Sequence, residues 1–184
     1  CVFPSTWTAP IADAAYPDTG NVGALNSLRE NPIQIMKAQK NDTELEHLKD
    51  AFTRTDNAVR AIRNYIENNN NISEFDIAVQ LAKEFKNQGA LGLSFSSIVA
   101  KDANSALAHY SKSSKDEIIT DGSLILIDCG GYFEGGLATD ITRVFVKGEP
   151  SELQKEIYEI VRYAQKESIK QIKVGMSSYE AHMI

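Results

Sequence analysis

Two stretches in the first half of the chain carry apolar residues at the three- and four-residue steps of an amphipathic helix. The first begins with a capping box at Asn41 and Glu44, and the asparagine run of residues 68–71 ends it. Ser73 caps the second, which ends at Gly89. The apolar stripes comprise Leu45, Leu48, Phe52, Val59, Ile62 and Ile66 in the first helix and Ala78, Leu81, Ala82 and Phe85 in the second. The pattern predicts an antiparallel helix pair.

Strand-like stretches occupy the middle of the chain. They are Leu93 to Ala100, Ala106 to Tyr110, and Ser123 to Ile127. The last of them runs into a hairpin, and a further helix then begins at Ser151, boxed by Gln154, and ends at Gly175. Helices precede and follow the strands without strict βαβ alternation. This order predicts an α+β fold in which helices cover one face of an antiparallel sheet.

Composition narrows the class of protein. The chain has 184 residues, 42% hydrophobic and 24% charged, which is enough for one domain with a core. Its net charge of -6, with acids and bases interleaved, argues against a nucleic-acid partner. No apolar run approaches the roughly 20 residues that span a bilayer, and no signal-peptide pattern opens the chain. We therefore expect no membrane association and a cytoplasmic location.

The ends of the chain suggest an internal piece of a longer protein. Cys1 stands where a native cytosolic polypeptide begins with Met, and a helix-like pattern stops at Ile184 without a closing turn. Four of the five prolines fall within the first 32 residues, so residues 1–31 are interpreted as irregular connecting structure. Cys1 and Cys129 indicate no disulfide framework, and we expect Cys129 to be a small buried filler.

Candidate chemistry lies between Leu124 and Val146, where two apolar strands flank a glycine-rich turn and each delivers one aspartate, Asp128 and Asp140. Strand alternation places Asp140 on the face of Thr142 and away from Arg143. A lone carboxylate on a buried strand face is costly to desolvate, so it must be protonated, paired or bound to a cation. Two such carboxylates facing each other indicate a cation. The alternative is that both aspartates cap turns at strand ends.

Four segments carry motifs of a known family: Asn31–Ala51, Asn104–Glu117, Leu124–Phe145 and Gln154–Val161. The most specific is TDITR at residues 139–143, together with the D-x-G that starts at Asp128. Over residues 30–184 the chain resembles the metal-dependent aminopeptidases that include Xaa-Pro aminopeptidase, prolidase, methionine aminopeptidase and creatinase. The order and spacing of the motifs fit the Xaa-Pro aminopeptidase branch.

The resemblance implies an incomplete pita-bread fold, with helices packed on one face of a curved antiparallel sheet. Residues 1–40 would be the end of an N-terminal domain and a linker. Residues 41–184 would be the N-terminal portion of the catalytic domain, without its second half.

The same resemblance implies a site for two divalent metal ions, with manganese favoured and cobalt or zinc as alternatives. Asp128 would be a ligand to one ion and Asp140 would bridge both. One histidine and two glutamates from the second half would complete the site, and this chain does not contain them. His109 would be catalytic and substrate-binding, through a hydrogen bond to the scissile peptide or the tetrahedral intermediate. His47 and His182 receive no role.

The spacing of the two aspartates departs from the family pattern. Eleven residues separate Asp128 from Asp140, where the family has ten. We expect a bulge in the hairpin or an insertion at its tip, in Glu134–Leu137, to absorb the extra residue. A one-residue slip would instead turn one aspartate to the wrong face and destroy the bridging geometry.

The leading functional hypothesis is an aminopeptidase that removes the first residue from peptides with proline second. A catalytically silent relative that binds peptides or proteins is the alternative from another class. Sister activities such as prolidase or methionine removal are also open. We expect a homo-oligomer of the full-length protein. This chain alone should not hydrolyse peptides, because two carboxylates give too few ligands for a tight dinuclear site.

Overall fold

A computed structural model of the protein describes residues 32–184, so the irregular segment expected at residues 1–31 lies outside the described residues. The helices in this part are α1 (Pro32–Ala38), α2 (Asp42–Asn68), α3 (Glu74–Asn87), α4 (Glu152–Gln171) and α5 (Ser178–His182). The strands are β1 (Gly92–Leu93), β2 (Ile98–Lys101), β3 (Leu124–Cys129), β4 (Gly131–Tyr132) and β5 (Ile141–Val146). A 3₁₀ helix, Asp102–Ala106, follows β2 directly.

The helix pair predicted from the apolar pattern is confirmed as α2 and α3. Both helices begin with a complete capping box, formed by Asn41 with Glu44 and by Ser73 with Asp76. In the apolar stripe of α2, Val59, Ile62 and Ile66 are buried and Phe52 is half-buried, whereas Leu45 in the first turn is 39% exposed. Local capping and a buried stripe therefore account for both helices.

Antiparallel pairing in the order β2-β3-β5 forms the main sheet, and β1 pairs with β4 in a small second sheet. Alternate residues of β3 point into the core, where Ile125, Ile127 and Cys129 are buried. They share one hydrophobic cluster with Val59, Ile62 and Ile66 of α2 and with Leu81 and Phe85 of α3. Ala82, which was predicted on the stripe of α3, is exposed. The opposite face of β3, with Leu124, Leu126 and Asp128, is only half-buried. The α+β architecture with helices on one face of the sheet is confirmed.

The strand predicted at Ala106–Tyr110 is wrong. Ala106 ends the 3₁₀ helix, and a turn follows that contains His109. The helix starts at Asp102 in a left-handed conformation, with φ 43°, and the Ser105 hydroxyl donates to the Asp102 carbonyl. A short polar side chain such as that of Ser105 bonds to nearby backbone groups and competes with strand pairing. The stretch predicted from Leu93 to Ala100 also divides into two short strands, β1 and β2.

Residues Asn41–Gln154 form one compact unit, which contains the helix pair and both sheets. A second unit includes residues 32–40 and Lys155–Ile184. The helix predicted from Ser151 is confirmed as α4, and Ser151 and Gln154 exchange the predicted capping hydrogen bonds. No residue of α4 is buried. Within residues 32–184, no helix has both the length and the apolar character needed to cross a membrane.

A buried lysine closes the C-terminal end of α2. Lys147 follows β5 directly and is only 3% exposed. Its Nζ donates to the Ile66 carbonyl at 2.7 Å and also to the Asn69 carbonyl. The last carbonyls of a helix have no partner within the helix and carry partial negative charge. Lys147 therefore satisfies this helix end and ties it to the end of β5.

Lys147→Met is expected to lower the free energy of unfolding by about 1.5 to 3 kcal/mol, the range for hydrogen bonds made by charged groups. The variant keeps the aliphatic stem but leaves the two carbonyls without their donor. Urea unfolding followed by circular dichroism measures the difference. Lys83→Met, at an exposed position of α3, is the matched control and should change little. Equal stability of both variants would contradict the proposed capping role of Lys147.

Candidate metal centre

The pairing of β3 with β5 places Asp128 and Asp140 on one face of the sheet. Asp128 lies opposite Thr142 in the antiparallel register. Asp140 precedes Thr142 by two residues and therefore shares its face, as the sequence predicts. The Thr142 hydroxyl donates a hydrogen bond of 2.9 Å to Oδ1 of Asp128. The open face of the sheet thus carries both carboxylates, and a hydroxyl orients one of them.

The longer spacing between the aspartates does not cause a register slip. Pairing runs without interruption from Leu124↔Val146 to Cys129↔Ile141. The bridge between Tyr132 and Ala138 continues in the same register. The bulge considered as an alternative is therefore not formed between these pairs, and the insertion expected in Glu134–Leu137 stays a prediction.

The two carboxylates are close enough to affect each other electrostatically. Partial burial, and then the negative charge of Asp128, raise the pKa of Asp140. Arg143, the nearest basic residue in the motif, lies on the other face of the strand, where it is 3.8 Å from Asp56. Within residues 32–184, neither aspartate forms an ion pair with a lysine or an arginine. A divalent cation would remove this uncompensated repulsion.

The chemistry of these donors fits a hard divalent cation, but the described residues supply only part of a site. Carboxylate oxygens are the ligands that manganese and similar ions accept. Among residues 32–184, no group of three or more histidine, cysteine, aspartate or glutamate side chains converges as a metal site would require. Asp128 and Asp140 can therefore contribute to a metal centre that needs further ligands.

The backbone between the two aspartates is held by contacts that sequence reasoning missed. Thr139 is fully buried, and its hydroxyl lies 2.8 Å from the hydroxyl of Thr55 on α2. The same oxygen accepts a hydrogen bond from the Gly131 amide at 3.0 Å. The Thr139 carbonyl accepts one from Ser94 at 2.9 Å. Asp140 is thus preceded by a residue fixed from three sides.

Position 130 requires glycine because its backbone lies very close to the backbone of Thr139. A Cβ atom at Gly130 would lie 1.9 Å from the Thr139 carbonyl oxygen, a distance that no side chain can occupy. The glycine of the D-x-G pattern therefore allows the two backbones that carry Asp128 and Asp140 to come together. The sequence motif identified this glycine but did not predict the close approach that requires it.

The histidines do not join the two aspartates. His109 is exposed in the turn after the 3₁₀ helix, on an open surface lined by Leu107–Lys112. Within the described part of the chain, no hydrogen bond or ion pair connects it to either aspartate. His47 is half-buried against the hairpin tip, where a Cβ at Gly135 would lie 3.0 Å from its Cγ. His182 is the exposed last residue of α5.

Cys129 is a packing residue, as predicted. It is fully buried in the core cluster on the helix side of β3. Burial, and then the neighbouring charge of Asp128, raise the pKa of its thiol to about 12. A thiol with such a pKa stays protonated near neutral pH, so Cys129 offers neither a nucleophile nor a metal ligand there.

The family model of metallopeptidase family M24 matches residues 46–184. The chain belongs to this family. Membership implies divalent metal ions, and the shared face of Asp128 and Asp140 is consistent with that chemistry.

Similar proteins include Xaa-Pro peptidases of two kinds. The chain is 34% identical over 155 residues to an Xaa-Pro dipeptidase of Pyrococcus horikoshii, covering 84% of this chain and 43% of the relative. It is 35% identical over 153 residues to an Xaa-Pro aminopeptidase of Haemophilus influenzae, covering 83% and 32%. The chain therefore spans less than half the length of these relatives.

The crystal structure of X-Pro aminopeptidase from Thermotoga maritima superposes on the described fold with a TM-score of 0.72 and 34% identity. The match covers 79% of this chain and 40% of that structure. The pita-bread fold predicted from the sequence motifs is confirmed, and this chain contains a part of it.

Gly130→Ala is expected to lower the free energy of unfolding by about 3 kcal/mol or more, the upper end of the cost of overpacking, because the Thr139 backbone cannot move aside easily. Urea unfolding of the variant measures the loss. Gly92→Ala is the matched control, since a Cβ there would meet no atom within 4 Å. The close-approach explanation fails if the two alanine variants are equally stable.

Proposed function

We propose that the protein containing this chain is a dinuclear metalloaminopeptidase that removes the first residue from peptides with proline at the second position. Family membership and the aminopeptidase relatives support this proposal. The observation that carries it is the common face of Asp128 and Asp140, where two carboxylates repel each other without a basic partner among residues 32–184. Such an arrangement is unfavourable in itself and suits a bound dication.

Asp128 would hold one metal ion and Asp140 would bridge two, with manganese favoured and cobalt or zinc as alternatives. One histidine and two glutamates from outside this chain would complete the ligand set. When bound, a pair of such ions activates water and polarises the carbonyl of the scissile peptide. Because this chain supplies only two of the ligands, it is expected to be inactive by itself.

The chain's own residues would prepare this site in three ways. Thr142 orients the Asp128 carboxylate through its hydroxyl. The buried contacts of Thr139 fix the backbone immediately before Asp140. His109, which the family resemblance assigns to substrate binding, would contact the substrate through a hydrogen bond of its imidazole. Its exposed position leaves it accessible to a peptide.

Cleavage of Xaa-Pro dipeptides is a second candidate, because the Pyrococcus relative with that name matches as well as the aminopeptidase does. The two activities differ in whether the substrate continues beyond proline. The full-length protein should therefore be assayed on an Xaa-Pro dipeptide and on an Xaa-Pro-Yaa tripeptide. Faster turnover of the tripeptide supports the aminopeptidase, and cleavage of the dipeptide alone supports the dipeptidase.

Asp140→Asn in the full-length protein, loaded with manganese, is expected to lower kcat/KM on Xaa-Pro peptides by at least about 100-fold. This is the upper loss known for residues that only support metal ligands, and a bridging ligand should matter more. Asp121→Asn, which removes the same charge at an exposed turn, is the control and should keep full activity. Undiminished turnover by Asp140→Asn would refute the assignment.

Manganese titration distinguishes the enzyme from a catalytically silent binding protein. An ion that binds only the native state stabilises it, by about 2.7 kcal/mol at 100 times its Kd. The melting temperature of the full-length protein should therefore rise with manganese, and the rise should disappear in Asp140→Asn. Peptide binding with no response to manganese would favour the silent relative.

The homo-oligomer and the cytoplasmic location stay predictions.

A further inference from the structure

A single buried carboxylate collects four hydrogen bonds at the start of α3. Glu74 is the first residue of that helix and is fully buried. Its Oε1 accepts from the Lys101 amide at 2.7 Å and from the side chain of Asn104 at 3.0 Å. Its Oε2 accepts from the Tyr110 hydroxyl at 2.7 Å and from the Ser114 amide at 2.9 Å. All four partners donate, so this buried group acts purely as an acceptor, as an ionised carboxylate does.

The four donors belong to one segment of the chain, residues 101–114, which includes the 3₁₀ helix and the turn with His109. Backbone hydrogen bonds from α3 hold the far end of the segment as well, since the Phe75 amide donates to Ser114 and the Glu74 amide donates to Glu117. His109 itself is exposed and lies between two of the donors, Asn104 and Tyr110. Its backbone is therefore placed by contacts that its neighbours make with Glu74.

The charge of Glu74 is balanced by N–H and O–H dipoles and not by a salt bridge. The nearby ammonium group of Lys101 lies 3.3 Å from Glu117 instead. The N-terminus of α3 contributes partial positive charge at Glu74. Burial, and then the hydrogen bond to Glu74, raise the pKa of Tyr110 to about 12, so the tyrosine remains a donor at neutral pH. Hydrogen bonds to a buried charge are expensive to lose.

We propose that Glu74 is a positioning residue for His109: it anchors the loop of residues 101–114 and thereby sets where the imidazole meets the substrate. The effect of Glu74 on catalysis rests on the proposed function. The anchoring of the loop by Glu74 does not depend on any activity.

The test compares Glu74→Gln with Glu84→Gln in the full-length protein. Both replacements lie on α3 and remove one negative charge, but the Glu84 side chain bonds within its own helix, to Gln80 and Asn87. In Glu74→Gln the amide group cannot accept, so about half of the anchoring bonds are lost. Hydrogen exchange in peptides covering residues 101–117 should become at least about tenfold faster, because local opening becomes easier. Glu84→Gln should leave this exchange unchanged.

Activity on Xaa-Pro peptides supplies the second readout. A displaced catalytic group costs on the order of 10- to 100-fold in rate, so kcat should fall in Glu74→Gln while KM changes little. In a His109→Ala background the same replacement should cost nothing further, because residues that act as a unit are not additive. Tyr110→Phe removes one donor without changing the charge and should show the same effects more weakly. This variant replaces Glu74→Gln in the test if Glu74→Gln does not fold.

Unchanged exchange over residues 101–117 would overturn the inference. The inference would also be overturned if the fold-losses in kcat of Glu74→Gln and His109→Ala multiplied in the double variant. Glu74 would then act independently of His109. If the wild-type protein cleaves no Xaa-Pro peptide, the proposed function fails, and the exchange comparison still decides whether Glu74 anchors the loop.

Discussion

The register between β3 and β5 is the constraint on which the candidate site depends. Side chains alternate between the two faces of a strand, so a shift of one residue would send Asp140 into the helix-covered face and Arg143 out of it. The ladder from Leu124↔Val146 to Cys129↔Ile141 prevents that shift. Ile125, Ile127 and Cys129 of β3 are buried on the other face, where Ile141 and Phe145 of β5 pack against the same cluster, and this shared packing selects the register. Hydrophobic packing on one face therefore determines which polar groups meet on the other.

Buried polar contacts then secure the ends of the elements around this sheet. Lys147 closes the C-terminus of α2, and Glu74 fixes the loop that contains His109. The contact between Thr55 and Thr139 holds the backbone just before Asp140. Each group is buried and hydrogen-bonded, which is the condition under which a polar residue in a core is tolerated. These buried contacts hold the segments around the site, while Asp128 and Asp140 keep a repulsion that favours binding of a cation.

Sequence reasoning succeeded where the determining interactions are local. The capping boxes at Asn41 and Ser73 involve residues three positions apart, and strand alternation correctly placed Asp140 with Thr142. It failed at Ala106–Tyr110, because the conformation there depends on Asp102 and on the distant Glu74. The contacts of Thr139 with Thr55 and of Lys147 with Ile66 join positions 84 and 81 residues apart, which no local pattern reveals. The family motifs pointed to the aspartates but not to the groups that hold them.

Anomalous diffraction from manganese-soaked crystals of the full-length protein tests the central claim most directly. The account predicts metal peaks within about 2.0 to 2.6 Å of the carboxylate oxygens of both Asp128 and Asp140, the range for hard divalent cations. Peaks that contact neither carboxylate, or electron density in which the two side chains lie on opposite faces of the sheet, would contradict it.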